Sequence, residues 1–236
     1  MIVAVIPARG GSKRIPRKNV REFAGKPMIA WSVEAALASG CFERVIVSTD
    51  DDEIGAVAEA YGAEAPFRRP DALADDHTGT IPVIAHAIDW LRKEGDPPEA
   101  VCCLYATAPF VQIEDIQAGY QALYSGDEVD YAFSVTSYAF PIQRALRLTP
   151  AGRVAMFHSE HSTSRSQDLK EAWHDAGQFY WGRAEAWESR APIFTERAVP
   201  VKLPRHRVQD IDTPEDWLRA EWLFKAWQAL ERGKSK

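Results

Sequence analysis

Apolar residues fall into short continuous runs at residues 2–6, 44–48, 100–104 and 131–135, and between these runs they recur every three or four positions. Ile29, Val33, Ala36 and Leu37 share one helical face, as do Ile54, Val57, Ala58 and Tyr61, and again Ile81, Ile84, Ile88 and Leu91. Strands that alternate with such helices predict an α/β protein, with a mostly parallel sheet and helices on both of its faces. Asp50 and Glu53 stand at capping-box spacing for the second helix, and Gly62 stands where its C-terminal stop belongs.

The pattern fails between residues 140 and 193, where prolines, aromatics and charges mix without a period. That stretch is assigned to an inserted lobe carrying a dimerisation arm, within one domain spanning residues 1–236. Periodicity returns at Thr213-Pro214-Glu215-Asp216, an N-cap, a proline at N1 and two first-turn acids that open a helix to about Leu230. Trp217, Ala220, Phe224 and Trp227 form one apolar stripe of this helix, and Leu218, Trp222, Ala226 and Ala229 form a second. Two apolar faces need cover on two sides, which together with the arm predicts a homodimer.

A chain of 236 residues with 46% apolar content can bury a full core. Its net charge of −6 argues against a nucleic-acid partner and makes any basic cluster a local feature aimed at a small anion. Cys41, Cys102 and Cys103 show neither C-x-x-C spacing nor a secreted framework, so all three are expected to be reduced and buried. The chain opens directly on a strand, without a leader or an apolar run of transmembrane length, which predicts a cytoplasmic protein with no membrane partner.

The local basic cluster follows the first strand: Ile6-Pro7-Ala8-Arg9-Gly10-Gly11-Ser12-Lys13-Arg14-Ile15-Pro16-Arg17-Lys18-Asn19. Paired glycines allow unusual dihedrals and bring backbone N–H groups close to phosphate oxygens, while Arg9, Lys13 and Lys18 supply full charges from several directions. Arg14 is expected to face solvent. The spacing is neither G-x-x-x-x-G-K-[ST] nor G-x-G-x-x-G, which disfavours a P-loop ATPase and a dinucleotide-binding dehydrogenase. Asp210-Ile211-Asp212 places two carboxylates on one side of an extended segment just before a helix, an arrangement that suits Mg²⁺ completed by phosphate oxygens and water. A non-catalytic nucleotide sensor would have no need of that pair.

Pro7-Ala8-Arg9-Gly10-Gly11-Ser12-Lys13 and Lys18-Asn19 resemble the P-A-R-x-G-S-K and K-N signature of the cytidylyltransferases that activate nonulosonic acids. Asp210, Asp212, Thr213 and Asp216 match the D-I-D-T-x-x-D context of that family's metal-binding pair, and Arg68-Arg69-Pro70 matches its arginine-proline step near the cytosine. Leu104-Tyr105-Ala106-Thr107-Ala108-Pro109 is similar to a strand end reading L-Q-P-T-S-P in the sialic acid branch, with Tyr105 in place of glutamine. Arg165-Ser166-Gln167-Asp168-Leu169 and His174-Asp175-Ala176-Gly177-Gln178-Phe179-Tyr180-Trp181-Gly182 resemble the pseudaminic acid branch instead.

The resemblance implies a Rossmann-like nucleotide-diphospho-sugar transferase fold that transfers CMP from CTP to the anomeric hydroxyl of a nonulosonic acid, with sialic, legionaminic and 3-deoxy-octulosonic acids as alternatives to pseudaminic acid. It further implies Arg9, Lys13 and Lys18 as the reacting-phosphate cations, and Ala8, Gly10, Gly11, Ser12, Asn19 and Arg69 as nucleotide contacts. Asp210 and Asp212 would hold the divalent ion. Tyr105, Gln143, Arg165 and Gln178 would meet the sugar, with Arg165 on its carboxylate.

Overall fold

The run Ile2-Val3-Ala4-Val5-Ile6 offers no polar face to water, and in the computed structural model, which describes residues 1–234, it lies buried inside a six-stranded sheet. In chain order the elements are β1 (Ile2–Pro7), β2 (Glu22–Phe23), β3 (Lys26–Pro27), α1 (Met28–Ser39), β4 (Arg44–Ser48), α2 (Asp52–Ala60), α3 (Thr80–Lys93), β5 (Ala100–Leu104) and α4 (Ile113–Leu123). Then come β6 (Tyr131–Ser137), β7 (Leu146–Leu148), β8 (Val154–Met156), β9 (Trp173–Arg183), α5 (Ala184–Glu188), β10 (Ala198–Lys202) and α6 (Pro214–Lys234). The central sheet runs β10-β6-β9-β5-β1-β4, and β9 is the strand that pairs antiparallel with both of its neighbours.

Side chains that alternate along β1 enter two different cores. Ala4 and Ile6 join Ile29 and Val33 of α1, Ile54 of α2 and Ile116 of α4, whereas Val3 and Val5 join Ile84 and Ile88 of α3 and Trp187 of α5. Helices therefore cover both sheet faces, as the periodicity predicts. A third cluster seats Trp217, Ala220 and Phe224 of α6 on Phe23, Met28 and Phe110, beneath the loop that leaves β1. The C-terminal ends of β1, β4 and β5 open onto one edge, where ligands of open α/β sheets bind.

The capping of α2 differs from the sequence expectation by one residue. Asp51 is the N-cap and accepts from the amides of Glu53 and Ile54, while Asp50 accepts at 2.9 Å from the amide of Gly10. Gly62 does take the left-handed conformation at the end of α2, with φ 94°. Thr213 and Asp216 cap α6 reciprocally: the Asp216 amide donates to Thr213 Oγ1, and the Thr213 amide donates to Asp216 Oδ2. Leu37 is exposed rather than buried, Cys41 is half-buried, and Cys102 and Cys103 are fully buried free thiols.

The irregular region divides. Residues 138–172 project with the β7–β8 hairpin and leave Phe140, Leu148 and Phe157 exposed, but residues 173–183 form β9 in the central sheet and Trp187 of α5 is wholly buried. The inserted stretch is thus shorter than the 140–193 expected from sequence, because β9 mixes charged, aromatic and glycine residues and hides its strand character. Against β6, Phe133 faces Tyr180 while Val135 faces Asp175, so residues 176–179 bulge opposite Ser134. Gly177 makes the turn at φ 61°, and Ser134 Oγ accepts from the amides of Gln178 (3.3 Å) and Phe179 (3.2 Å), which the bulge frees from the β6 ladder.

Candidate active site

Two adjoining cavities, of about 470 and 730 Å³, open at the C-terminal edge of the sheet. Both volumes fall within the range of small-molecule sites. Tyr105, at the end of β5, lines both of them. Its hydroxyl hydrogen-bonds Thr80 Oγ1 at 2.8 Å, and burial pushes its pKa up to about 12, so it stays a neutral phenol.

The loop after β1 forms the cationic wall of the first cavity. Arg9, Ser12, Lys13, Lys18 and Asn19 all line it, as does the N-terminal end of α3 at Gly79 and Thr80, whose backbone N–H groups favour an anion. Asn19 ties the loop down by donating to the Arg9 carbonyl at 3.0 Å, and Ala8 is buried with its amide bonded to the Ser48 carbonyl. Gly10 and Gly11 do not use left-handed backbone. Gly10 is required by closeness instead: a Cβ there would lie 2.6 Å from Asp51 Oδ2, whereas one on Gly11 would meet nothing nearer than 3.8 Å.

An acid absent from the sequence reading organises this wall. Asp76 accepts from Arg9 at 2.5 Å and from Lys13, and these two donors hold its carboxyl down at about 2. No motif announces it, because a contact spanning 63 residues depends on the path of the 71–79 loop. Arg14 faces solvent as expected, and its exposed guanidinium also donates to Asp212 Oδ2 at 2.8 Å.

Lys18 joins the loop to the carboxylate pair. Its Nζ donates to the Ile211 carbonyl at 2.7 Å and lies 3.4 Å from Asp212 Oδ1. Ile211 is buried, so Asp210 and Asp212 project to the other side, Asp212 into the first cavity and Asp210 into the second. Although Asp210 opens onto that cavity, the surrounding protein thins its hydration, and this, followed by repulsion from Asp212, raises its pKa. Among the described residues no group of three or more His, Cys, Asp or Glu side chains could hold a metal ion. The pair alone has the chemistry a hard ion takes when phosphate and water complete its shell, and a cation there would relieve the repulsion.

Arg69 is buried at the rim of the first cavity, where its Nε donates to Ser48 Oγ at 3.1 Å and a second nitrogen reaches the Ser48 carbonyl. Burial lowers its pKa to about 10, so it remains charged, but its fork is committed to holding the end of β4. Of the four residues expected to meet the sugar, Tyr105 alone lines either of these two cavities. Gln178 lies buried with its Nε2 on the Arg207 carbonyl, Gln143 donates to the Lys170 carbonyl, and Arg165 pairs with Asp168 at 2.8 Å on the exposed lobe. The second cavity is lined instead by His174, Asp175, Tyr180, Arg205 and Arg219. Of these, His174, Asp175 and Tyr180 stood inside a motif that marked the family but gave no direction for any side chain.

Comparison with known proteins places this architecture. A family model described as Cytidylyltransferase matches residues 3–221. The chain is 45% identical to a pseudaminic acid cytidylyltransferase of Campylobacter jejuni over 94% of its length and 96% of the relative's. It is 47% identical to a CMP-N,N'-diacetyllegionaminic acid synthase of Legionella pneumophila, over 95% of this chain and 96% of that one. Its fold is similar to that of a CMP:2-keto-3-deoxy-manno-octonic acid synthetase solved with CTP, at TM-score 0.69 and 18% identity, covering 95% and 98% of the two chains.

Proposed function

Because the chain belongs to the cytidylyltransferase family, we propose that it transfers CMP from CTP to the anomeric hydroxyl of pseudaminic acid and releases pyrophosphate. The observation that carries this reading is the junction at Lys18, where a cationic phosphate loop meets a carboxylate pair between two cavities. The triphosphate occupies the first cavity and the sugar the second, so the reacting atoms meet beside Asp210 and Asp212.

The anomeric hydroxyl oxygen attacks the α-phosphorus, its O–P bond forms as its proton passes to solvent, and the bond to the bridging oxygen breaks so that pyrophosphate leaves with the electron pair. Arg9 and Lys13 neutralise the triphosphate once they exchange Asp76 for phosphate oxygens, and Lys18 fixes the loop against the 210–212 segment. A divalent ion, Mg²⁺ by the chemistry of its donors, would be held by Asp210 and Asp212 and would supply further charge neutralisation and a lowered pKa for the sugar hydroxyl. No side chain is assigned as general base.

The sugar follows from Tyr105. With its hydroxyl committed to Thr80, it offers the second cavity a ring and not an amide, which suits the terminal methyl of pseudaminic acid. A sialic acid hydroxyl there would be desolvated without a partner, at about 1–3 kcal/mol or roughly 10- to 100-fold in kcat/KM. Legionaminic acid is the second reading, favoured by the 47% identical relative. Pyrophosphate release with saturating CTP and a panel of pseudaminic, legionaminic, sialic and 3-deoxy-octulosonic acids tests the assignment. A higher kcat/KM for any sugar but pseudaminic acid would refute it.

Two further features belong to the same proposal. The exposed apolar residues of the 138–172 lobe and the uncovered Leu218 and Trp222 face of α6 support a homodimer, and sedimentation at the monomer mass of 26.4 kDa at micromolar concentration would count against it. A cytoplasmic location is supported by free thiols at Cys41, Cys102 and Cys103, and among the described residues no helix is long and apolar enough to cross a membrane.

A further inference from the structure

The bulge of β9 gives the second cavity a feature that the transfer chemistry does not use. Opposite Ser134, residues 176–179 leave the β6 ladder, and this folds Asp175 back until its Oδ2 accepts from the hydroxyl of Tyr180, five residues on. The Oδ1 atom accepts from the Gly177 amide at 2.8 Å. Burial drives the Tyr180 pKa far upward, so its hydroxyl stays protonated and donates. An ionised carboxylate offers about four lone-pair sites, of which two are taken here. Asp175 and Tyr180 both line the cavity, and the remaining acceptor capacity is available to a donor bound there. Arg205 and Arg219 line the same cavity and offset the negative charge that Asp175 would present to an anionic sugar.

We propose that Asp175 is a specificity-determining residue that accepts a hydrogen bond from an acylamino N–H of the sugar, with Tyr180 and Gly177 as its positioning partners. This rests on the sugar occupying the second cavity, as argued above. A carboxylate oriented by two donors reads an N–H at a fixed place and direction, whereas a bulge needed only for folding would have no reason to aim its acid into the cavity. The acid acts on sugar binding and leaves nucleotide binding alone, since Asp175 does not line the first cavity.

Asp175→Asn keeps the shape and the Gly177 contact while removing the charge, and steady-state kinetics with both substrates varied read the consequence. The KM for the sugar should rise about 10- to 100-fold, the loss expected for a hydrogen bond to a charged group, with the KM for CTP within about twofold of wild type. Tyr180→Phe keeps the carboxylate and removes one positioning donor, so it should raise the sugar KM by about two- to fivefold and covers the case in which Asp175→Asn does not fold. An unchanged sugar KM in either folded variant, or a parallel rise in both KM values, would overturn the role of Asp175 while wild-type turnover stands. Failure of the wild-type enzyme to turn over any nonulosonic acid with CTP would instead refute the proposed function, and this inference with it.

Discussion

Gly10→Ala should destabilise the protein where Gly11→Ala does not, although the two glycines are adjacent in the same basic loop. The added Cβ at Gly10 would stand 2.6 Å from Asp51 Oδ2 and 2.9 Å from Asp51 Cβ, against about 3.5–4.0 Å for a comfortable carbon contact. Asp51 cannot yield freely. Its Oδ1 caps α2 through the amides of Glu53 (3.0 Å) and Ile54 (3.1 Å), and its Oδ2 meets Arg17 at 2.5 Å. Overpacking costs about 1–3 kcal/mol and a lost N-cap about 0.5–2 kcal/mol, and since movement relieves one only by incurring the other, the smaller of the two, about 1–2 kcal/mol, is expected. Gly11→Ala, with 3.8 Å of clearance and no left-handed φ, should fall within about 0.5 kcal/mol of wild type or be slightly stabilising. Urea unfolding of both variants measures the difference, and the KM for CTP should rise in Gly10→Ala because the bond from the Gly10 amide to Asp50 seats the loop beside Arg9, which lines the cavity. Equal stability of the two variants would refute the close-approach account of the loop.

The pH dependence of stability gives a test of the carboxylate pair. A raised folded-state pKa at Asp210 stabilises the fold at pH below the ordinary aspartate value and loses that contribution as pH rises through the folded value, so Asp210→Asn should stabilise the metal-free protein at neutral pH. The same variant should abolish pyrophosphate release, and full wild-type activity in excess EDTA would remove the metal from the proposal. Asp76→Asn should tighten binding of inorganic tripolyphosphate, measured by calorimetry, because Arg9 and Lys13 would no longer be held by an internal anion; weaker binding would show that Asp76 helps to build the phosphate site. Lys13→Ala should lower kcat/KM strongly. Arg14→Ala should cost at most about fivefold, the worth of an exposed ion pair with Asp212, and equal losses in the two would contradict their assignments.

Periodicity and capping chemistry in the sequence determined the sheet core and most helices. Continuous apolar runs have a single stable environment, between two helical layers, so β4 and β5 are found at the residues where the pattern predicts them. Glycine, lysine and aspartate spacing likewise picked out the basic loop and the carboxylate pair, which the fold joins through Lys18, because each motif is local and is read from neighbours in the chain. Other features are set by contacts between distant segments. Asp76 meets Lys13 across 63 residues, Arg14 meets Asp212 across 198, and Asp175 turns toward Tyr180 because a bulge opposes the distant Ser134. β9 was hidden for the same reason, since Trp173-His174-Asp175 has no strand period and joins the sheet only by pairing with β6, and β5 takes up residues 179–183. Local spacing fixes which groups are present, but the path of loops and the register of nonadjacent strands decide which of them face one another, and that is a property of the packed chain.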